Sequence, residues 1–383
     1  MDSEKKTANQ ETSFSKGLEG VVAAQTSLSL VDGQAGRLFY EGIEIGDLGK
    51  YSTFEEVCYL LFYGELPNRK ALQQFSDQLA AARSLPKEIE RLLESIPKKA
   101  NPMAVLRTVV SALTFYDPDP DNLSREAITG KGIKLIAQIP TIVASFDRLR
   151  NGQKPVSPQK NFNHATNFLY MLSGKEPVPE LAKALDLYLI LLADHGLNAS
   201  TFAARVTIAT LSDYYSAITS AIGALKGNLH GSANARAMEM FLEIGELKNV
   251  EPYVKNLLLN HQKIMGFGHR IYKTEDPRAT LFREVAAKIC KGTNNEKWYQ
   301  ISEKIAEIVM REKKIYCNVD FYSASVLYSV GIPVDLFTTV FAMSRVVGWT
   351  AHIIEQLADN RLIRPQAEYV GPRNQPYIPL AER

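Results

Sequence analysis

The stretch ELAKALDLYLILLADHG, Glu180 to Gly196, decides the fold class of this chain. Its apolar residues recur with helical spacing, and the run stops at a glycine that lets the backbone turn away. The same periodicity marks FEEVCYLLFYG from Phe54, RKALQQFSDQLAAARS from Arg69 and MAVLRTVVSALTFY from Met103, with breaks at Pro, Gly or Asn. Strand signals are confined to SLSLVDGQAGRLFYEG, Ser27 to Gly42, where two short alternating runs flank Asp32-Gly33 and predict a small β-hairpin. The expected fold class is therefore all-α with one small N-terminal ribbon. DPDPDNLS from Asp117 and NGQKPVSPQ from Asn151 are turn-rich connections too short for flexible interdomain linkers, and no solenoid repeat is present.

Composition narrows the function classes. With 383 residues, 45% hydrophobic and 22% charged, the chain has ample material for a large core or two domains. A formal net charge of +2 gives no overall attraction to nucleic acid, although local basic clusters can bind phosphorylated metabolites. Cys58, Cys290 and Cys317 are too few and too scattered for a disulfide framework or a zinc site, which suits a reducing, cytoplasmic setting. The polar N-terminus MDSEKKTANQETSFSK is not of signal-peptide type, and no apolar run reaches bilayer-spanning length, so no membrane role is expected.

Six histidines frame the search for chemistry. His164 and His261 sit in polar surroundings (NFNHATN, LLNHQKI) and read as surface or capping residues, while His352, inside DLFTTVFAMSRVVGWTAHIIEQ, reads as a hydrogen-bonded core or interface histidine. His195 (ADHGLNAS), His230 (LKGNLHGSAN) and His269 (GFGHR) each adjoin glycine at a break between helices, where side chains point into clefts. Singly, each is as well explained as a hydrogen-bonded turn residue. Together they call for another account. Asp320 opens the run NVDFYSA and is either a functional carboxylate or the N-cap of its helix. Arg345, amid FAMSRVVGW, implies a bound anion, because an uncompensated buried charge is costly. Arg278 in DPRA and Arg364 in RLIRPQ complete the set. GxxxxGK[ST], GxGxxG after a strand, HExxH, GxSxG and CxxC are all missing, and His195, His230, His269 and Asp320 are not paired at helical metal-ligand spacing, so a metal site is not expected.

In order along the chain, GLEGVVA at Gly17, FEEVCYLLFYGELP, NAS at Asn198, GALKGNLHG, IMGFGHRIYK, DPRA, NVDFYSA, RLIRP and PYIPL resemble citrate synthase of the shorter bacterial and archaeal form. The resemblance implies a two-domain all-α homodimer: a tail over 1–16, a large domain from 17–216 and 326–383, and a small domain over 217–325. It implies condensation of acetyl-CoA with oxaloacetate and hydrolysis of the citryl thioester, without cofactor. Asp320 would be the base that takes a methyl proton, His230 would hydrogen-bond the thioester oxygen, and His269 would polarise the oxaloacetate ketone. His195, Arg278 and Arg345 would hold oxaloacetate together with Arg364 reaching across the two-fold axis. Lys263 and, more weakly, Arg361 would contact CoA, with Arg270 and Lys273 adding positive charge near its phosphates. Ser232, Ala235 and Gly196 depart from common family residues, and none of the three removes a presumed catalytic group. 2-Methylcitrate synthase, which takes propionyl-CoA, shares the motifs, and a catalytically silent helical dimer is the alternative from a different class.

Overall fold

The computed structural model describes residues 14–383, so the expected tail lies outside the described residues up to position 13. Sixteen α-helices are present among the described residues, with a single three-stranded sheet near the N-terminus. None of these helices is long and apolar enough to cross a membrane.

Local chemistry sets the helix boundaries. Thr53 and Glu56 form a capping box at the start of the Phe54–Tyr63 helix, each side chain accepting the other's backbone N–H. The opening stretch forms the Pro179–Leu192 helix, with proline in its first turn, where the missing N–H costs nothing. Gly196 turns the chain at φ +56°, and Asn198 caps the next helix, Ala199–Ile208, by accepting from Ser200 N and Thr201 N. His195 is thus held in a tight reversal between two helices.

One group of helices surrounds Phe337–Ala358, which packs against Phe54–Tyr63, Arg125–Arg150, Pro179–Leu192, Ala199–Ile208 and Tyr214–Leu225. That helix is buried along nearly its whole length, as an all-round apolar helix must be. A second group, Ala233–Ile244, Val250–Leu259, Pro277–Cys290, Glu296–Lys313 and Val319–Ser329, packs mainly on itself and meets the first through Pro179–Leu192 and, from Ala233–Ile244, through the central helix itself. The expected division at 217 falls inside Tyr214–Leu225, a helix that packs with the first group, and the one at 325 falls inside Val319–Ser329.

Two local expectations change, at His164 and in the ribbon, and the alternative left open at Asp320 is decided. His164 is buried rather than exposed: it begins the His164–Ser173 helix, donates its backbone N–H to Glu55 Oε1 and packs its ring on Phe54 at 4.9 Å. Its polar neighbours divide: Asn161 and Asn163 are exposed, whereas Asn167, one turn along, is buried with it and accepts from Gln159 N, so local polarity does not report exposure here. His261 is exposed and His352 buried, as expected. Asp320 is not the N-cap; Asn318 is, accepting from Asp320 N at 3.0 Å. The ribbon has a third strand, β1 (Ser29–Asp32), β2 (Arg37–Tyr40) and β3 (Ile43–Glu44), and β1 and β2 are joined by a four-residue turn, 33–36.

That turn is pressed against the segment following His269. Lys273 N donates to Gly33 O at 2.9 Å, and a methyl group at Gly33 would collide with the carbonyl oxygen of Ile271. Gly33→Ala is therefore expected to cost about 1–3 kcal/mol, the usual penalty of overpacking. Gly46→Ala, in a helix with open space around it, should instead hold or raise stability. Thermal midpoints of the two variants check this, and an unchanged midpoint for Gly33→Ala would refute the docking of the turn.

Candidate active site

The reversal at His195, the loop before Ala233–Ile244 that carries His230, and the loop before Pro277–Cys290 that carries His269 converge at the junction of the two helix groups. The rings of His195 and His269 lie 5.3 Å apart. His195 is anchored from behind by the ribbon. Asp194 accepts at Oδ2 from Ser29 Oγ (2.5 Å) and Gly196 N (3.0 Å), and its carbonyl accepts from the Tyr40 hydroxyl at 2.8 Å. His352 Nε2 stands 3.3 Å from Asp194 Oδ1.

Hydrogen bonding assigns opposite tautomers to the other two histidines. Nδ1 of His269 faces the backbone N–H groups of Ile271 (3.0 Å) and Tyr272 (3.1 Å), and a nitrogen that accepts twice carries no proton. The proton of the neutral ring is then on Nε2. For His230 the arrangement is reversed: Nε2 lies 2.8 Å from Ser200 Oγ and 3.3 Å from the Ser200 N–H. A peptide N–H cannot accept, so Nε2 is the bare nitrogen and Nδ1 carries the proton. Trp349 Nε1 donates to the same Ser200 oxygen at 3.0 Å, and Asn198 Oδ1, 2.8 Å from that oxygen, competes with His230 for the hydroxyl proton, so it is the peptide N–H that carries the assignment. Burial, with Arg345 adding repulsion, lowers the His230 pKa to about 4. Burial and Arg278 do the same for His269, also to about 4. Both rings are neutral donors at pH 7.

The charged groups are arranged for an anion and a base. Arg278 is clamped by Asp276 through Nε–Oδ1 (3.0 Å) and Nη2–Oδ2 (2.8 Å), and Asp276 Oδ2 also accepts from Val319 N, tying the arginine to the helix that bears Asp320. Arg345, buried in the central helix, donates Nε to Leu192 O at 2.6 Å and has no carboxylate partner among the described residues. Its guanidinium lies 4.8 Å over the Phe341 ring, which also borders His230. The Asp320 carboxylate has no hydrogen-bond donor among the described residues, and burial raises its pKa to about 6. A cleft with an unmatched guanidinium, a base poised near neutrality and two neutral donors is equipped to stabilise negative charge on two oxygens at once.

Of the residues expected from sequence, His195, His230, His269, Arg278, Asp320 and Arg345 come together here. Lys263, Arg361 and Arg364 are exposed and outside this group: Lys263 precedes the His269 loop, Arg361 lines a groove against Ala23–Ser27, and Arg364 follows the last long helix in a segment without regular structure. Sequence reasoning missed Ser200, Tyr272, Asp276 and Trp349. Only Asp276 had a local signal, as an aspartate two residues before a buried arginine.

The comparisons with known proteins agree in one direction. The family model described as "Citrate synthase, C-terminal domain" matches residues 17–366. The chain belongs to the citrate synthase family. Citrate synthase 2 of Bacillus subtilis is 50% identical over 369 residues, 96% of this chain and 99% of the relative. A citrate synthase of the archaeon Thermoplasma acidophilum, solved as a ternary complex with carboxymethyl coenzyme A and oxaloacetate, superposes with a TM-score of 0.92 at 35% identity, covering 97% of this chain and all of the other. 2-Methylcitrate synthase 1 of Corynebacterium glutamicum is 40% identical over 373 residues, 96% of this chain and 98% of the relative. The all-α fold with its small sheet is thus the fold of citrate synthases.

Proposed function

We infer that this chain is a citrate synthase, which joins the methyl carbon of acetyl-CoA to the ketone carbon of oxaloacetate and then hydrolyses the citryl thioester to citrate and CoA. The reading rests above all on the two opposed histidine tautomers, each placing one N–H toward the cleft that also holds Asp320. Asp320 takes a methyl proton while His230 donates from Nδ1 to the thioester oxygen, so charge moves from carbon to oxygen without a free carbanion. His269 donates from Nε2 to the ketone oxygen, where charge collects as the carbon-carbon bond forms. Arg278 and Arg345, with His195, hold the dicarboxylate, and the unmatched charge of Arg345 is answered by the substrate itself. Water then attacks the thioester carbonyl, and CoA leaves as the thiol.

Lys263 and Arg361 are assigned to CoA, no cofactor is invoked, and Arg364 of the partner subunit completes the oxaloacetate cradle in a homodimer. The helix groups serve as a large domain and a small one, the latter running from about the end of Tyr214–Leu225 to the end of Val319–Ser329, with closure excluding water from the cleft.

A 2-methylcitrate synthase reading has support from the Corynebacterium relative. The two acyl groups differ by one methylene, worth about 1–3 kcal/mol in an apolar pocket, so both thioesters should react. Initial rates with acetyl-CoA and propionyl-CoA at fixed oxaloacetate test the assignment: kcat/KM is expected to favour acetyl-CoA, preference for propionyl-CoA would reverse it, and no rate with either would leave a silent dimer.

A further inference from the structure

Tyr272 links two of the three histidines, and the roles proposed for the cleft leave it unused. Its backbone N–H is one of the two that hold His269 Nδ1, and its phenol oxygen lies 3.3 Å from His195 Nε2. The ring is buried and stands 4.6 Å from that of His269 and 5.7 Å from that of His195.

His195 must choose a tautomer. Burial, together with Arg278 and Arg345, holds its pKa well below the ordinary value, so the ring is neutral and one nitrogen is bare. Nδ1 has no hydrogen-bond partner among the described residues, in a cleft whose positive charge comes from the same two arginines. A bare nitrogen turned toward an anion drawn there would set lone pair against lone pair; an N–H would bind it. Nε2 must then be the acceptor, and the phenol is the side chain within reach that can donate to it. Burial raises the Tyr272 pKa, so the phenol keeps its proton across the neutral range.

We propose that Tyr272 is a positioning residue whose hydroxyl donates to His195 Nε2 and so fixes the Nδ1–H tautomer that presents a donor to the carboxylate-bearing substrate. The inference rests on the reading of the cleft as an oxaloacetate site, and it deepens that reading by adding a residue that selects the dicarboxylate through another residue. Tyr272→Phe deletes only the oxygen. It keeps the ring and the backbone N–H that holds His269.

The test uses the full chain labelled with ¹⁵N-histidine, the His195 signals being assigned from the His195→Gln spectrum, alongside calorimetric titration with oxaloacetate. Wild type should show His195 protonated at Nδ1 and bare at Nε2. In Tyr272→Phe that preference should be lost, the His269 signals should stay in place, and oxaloacetate should bind about tenfold more weakly, the scale of one lost hydrogen bond in a buried site. A purely packing role for the tyrosine would move neither the tautomer nor the affinity in this isosteric variant. His195 protonated at Nε2 in wild type overturns the proposal without recourse to any variant, and so does unchanged oxaloacetate affinity in Tyr272→Phe. Failure of wild type to bind oxaloacetate would instead sink the substrate reading, with the tautomer still deciding the role of Tyr272.

Discussion

Replacing Asp320 by asparagine should lower kcat for condensation by about 10²- to 10⁴-fold, the range that a positioned general base supplies, while oxaloacetate binds as before. The structure sharpens this expectation. Asn318 caps the helix, so the Asp320 side chain is free of that duty, and no donor among the described residues engages its carboxylate. Burial lifts its pKa to about 6, and the base works only when ionised. As pH falls through about 6, wild-type kcat/KM should therefore fall, and the residual activity of Asp320→Asn should lack that acid limb. The stability effect has the opposite sign. A carboxyl whose folded pKa is raised binds its proton more tightly when folded, so it costs stability once pH exceeds that pKa, and the penalty fades as pH falls toward the unfolded value. Asp320→Asn should consequently match or exceed wild type in thermal midpoint at pH 8. Loss of oxaloacetate affinity equal to the loss of rate would mean that Asp320 shapes the cleft and is not the base.

The second large effect is restoration of activity from two dead variants. Arg364 is exposed on the segment after Phe337–Ala358 and has no ion pair or hydrogen bond among the described residues, although its proposed substrate is a dianion. An arginine so placed within its own chain is available to another. Asp320→Ala and Arg364→Ala should each be nearly inactive as homodimers. Unfolded and refolded together, they exchange protomers. If Arg364 acts across the two-fold axis, a mixed dimer has one site with both lesions and one with neither. Random assortment makes half the dimers mixed, and each has one working site of two, so activity should return to roughly a quarter of a wild-type control refolded alike. If Arg364 serves its own chain, every site keeps one lesion and mixing restores nothing. Differential tags on the two variants confirm that mixed dimers have formed.

Much of this protein is legible in one dimension. Helical periodicity and breakers locate the helices because burial of an apolar face imposes its period on neighbouring residues, and the opening stretch forms Pro179–Leu192 as its pattern requires. Histidines beside glycines at helix breaks mark the site because a cleft between packed helices is lined by their ends. The apolar context of Arg345 is enough to call for an anion, since the cost of burying its charge depends on composition nearby. Ordered motifs identify the family.

What the tertiary structure alone decides is which atom of each residue acts. Ser200 meets His230 across 30 residues and Tyr272 meets His195 across 77, separations at which nothing in local sequence signals a contact. Asp320 is released from capping by a neighbour two positions away, and His164 is buried by a helix more than a hundred residues earlier. Sequence by itself determined the elements, the residue types and the family, because these follow from local periodicity and from ordered motifs. The tautomers, the unpaired carboxylate and the unmatched guanidinium were decided only by folding, because a proton's place depends on donors and charges that long-range packing brings within about 3 Å.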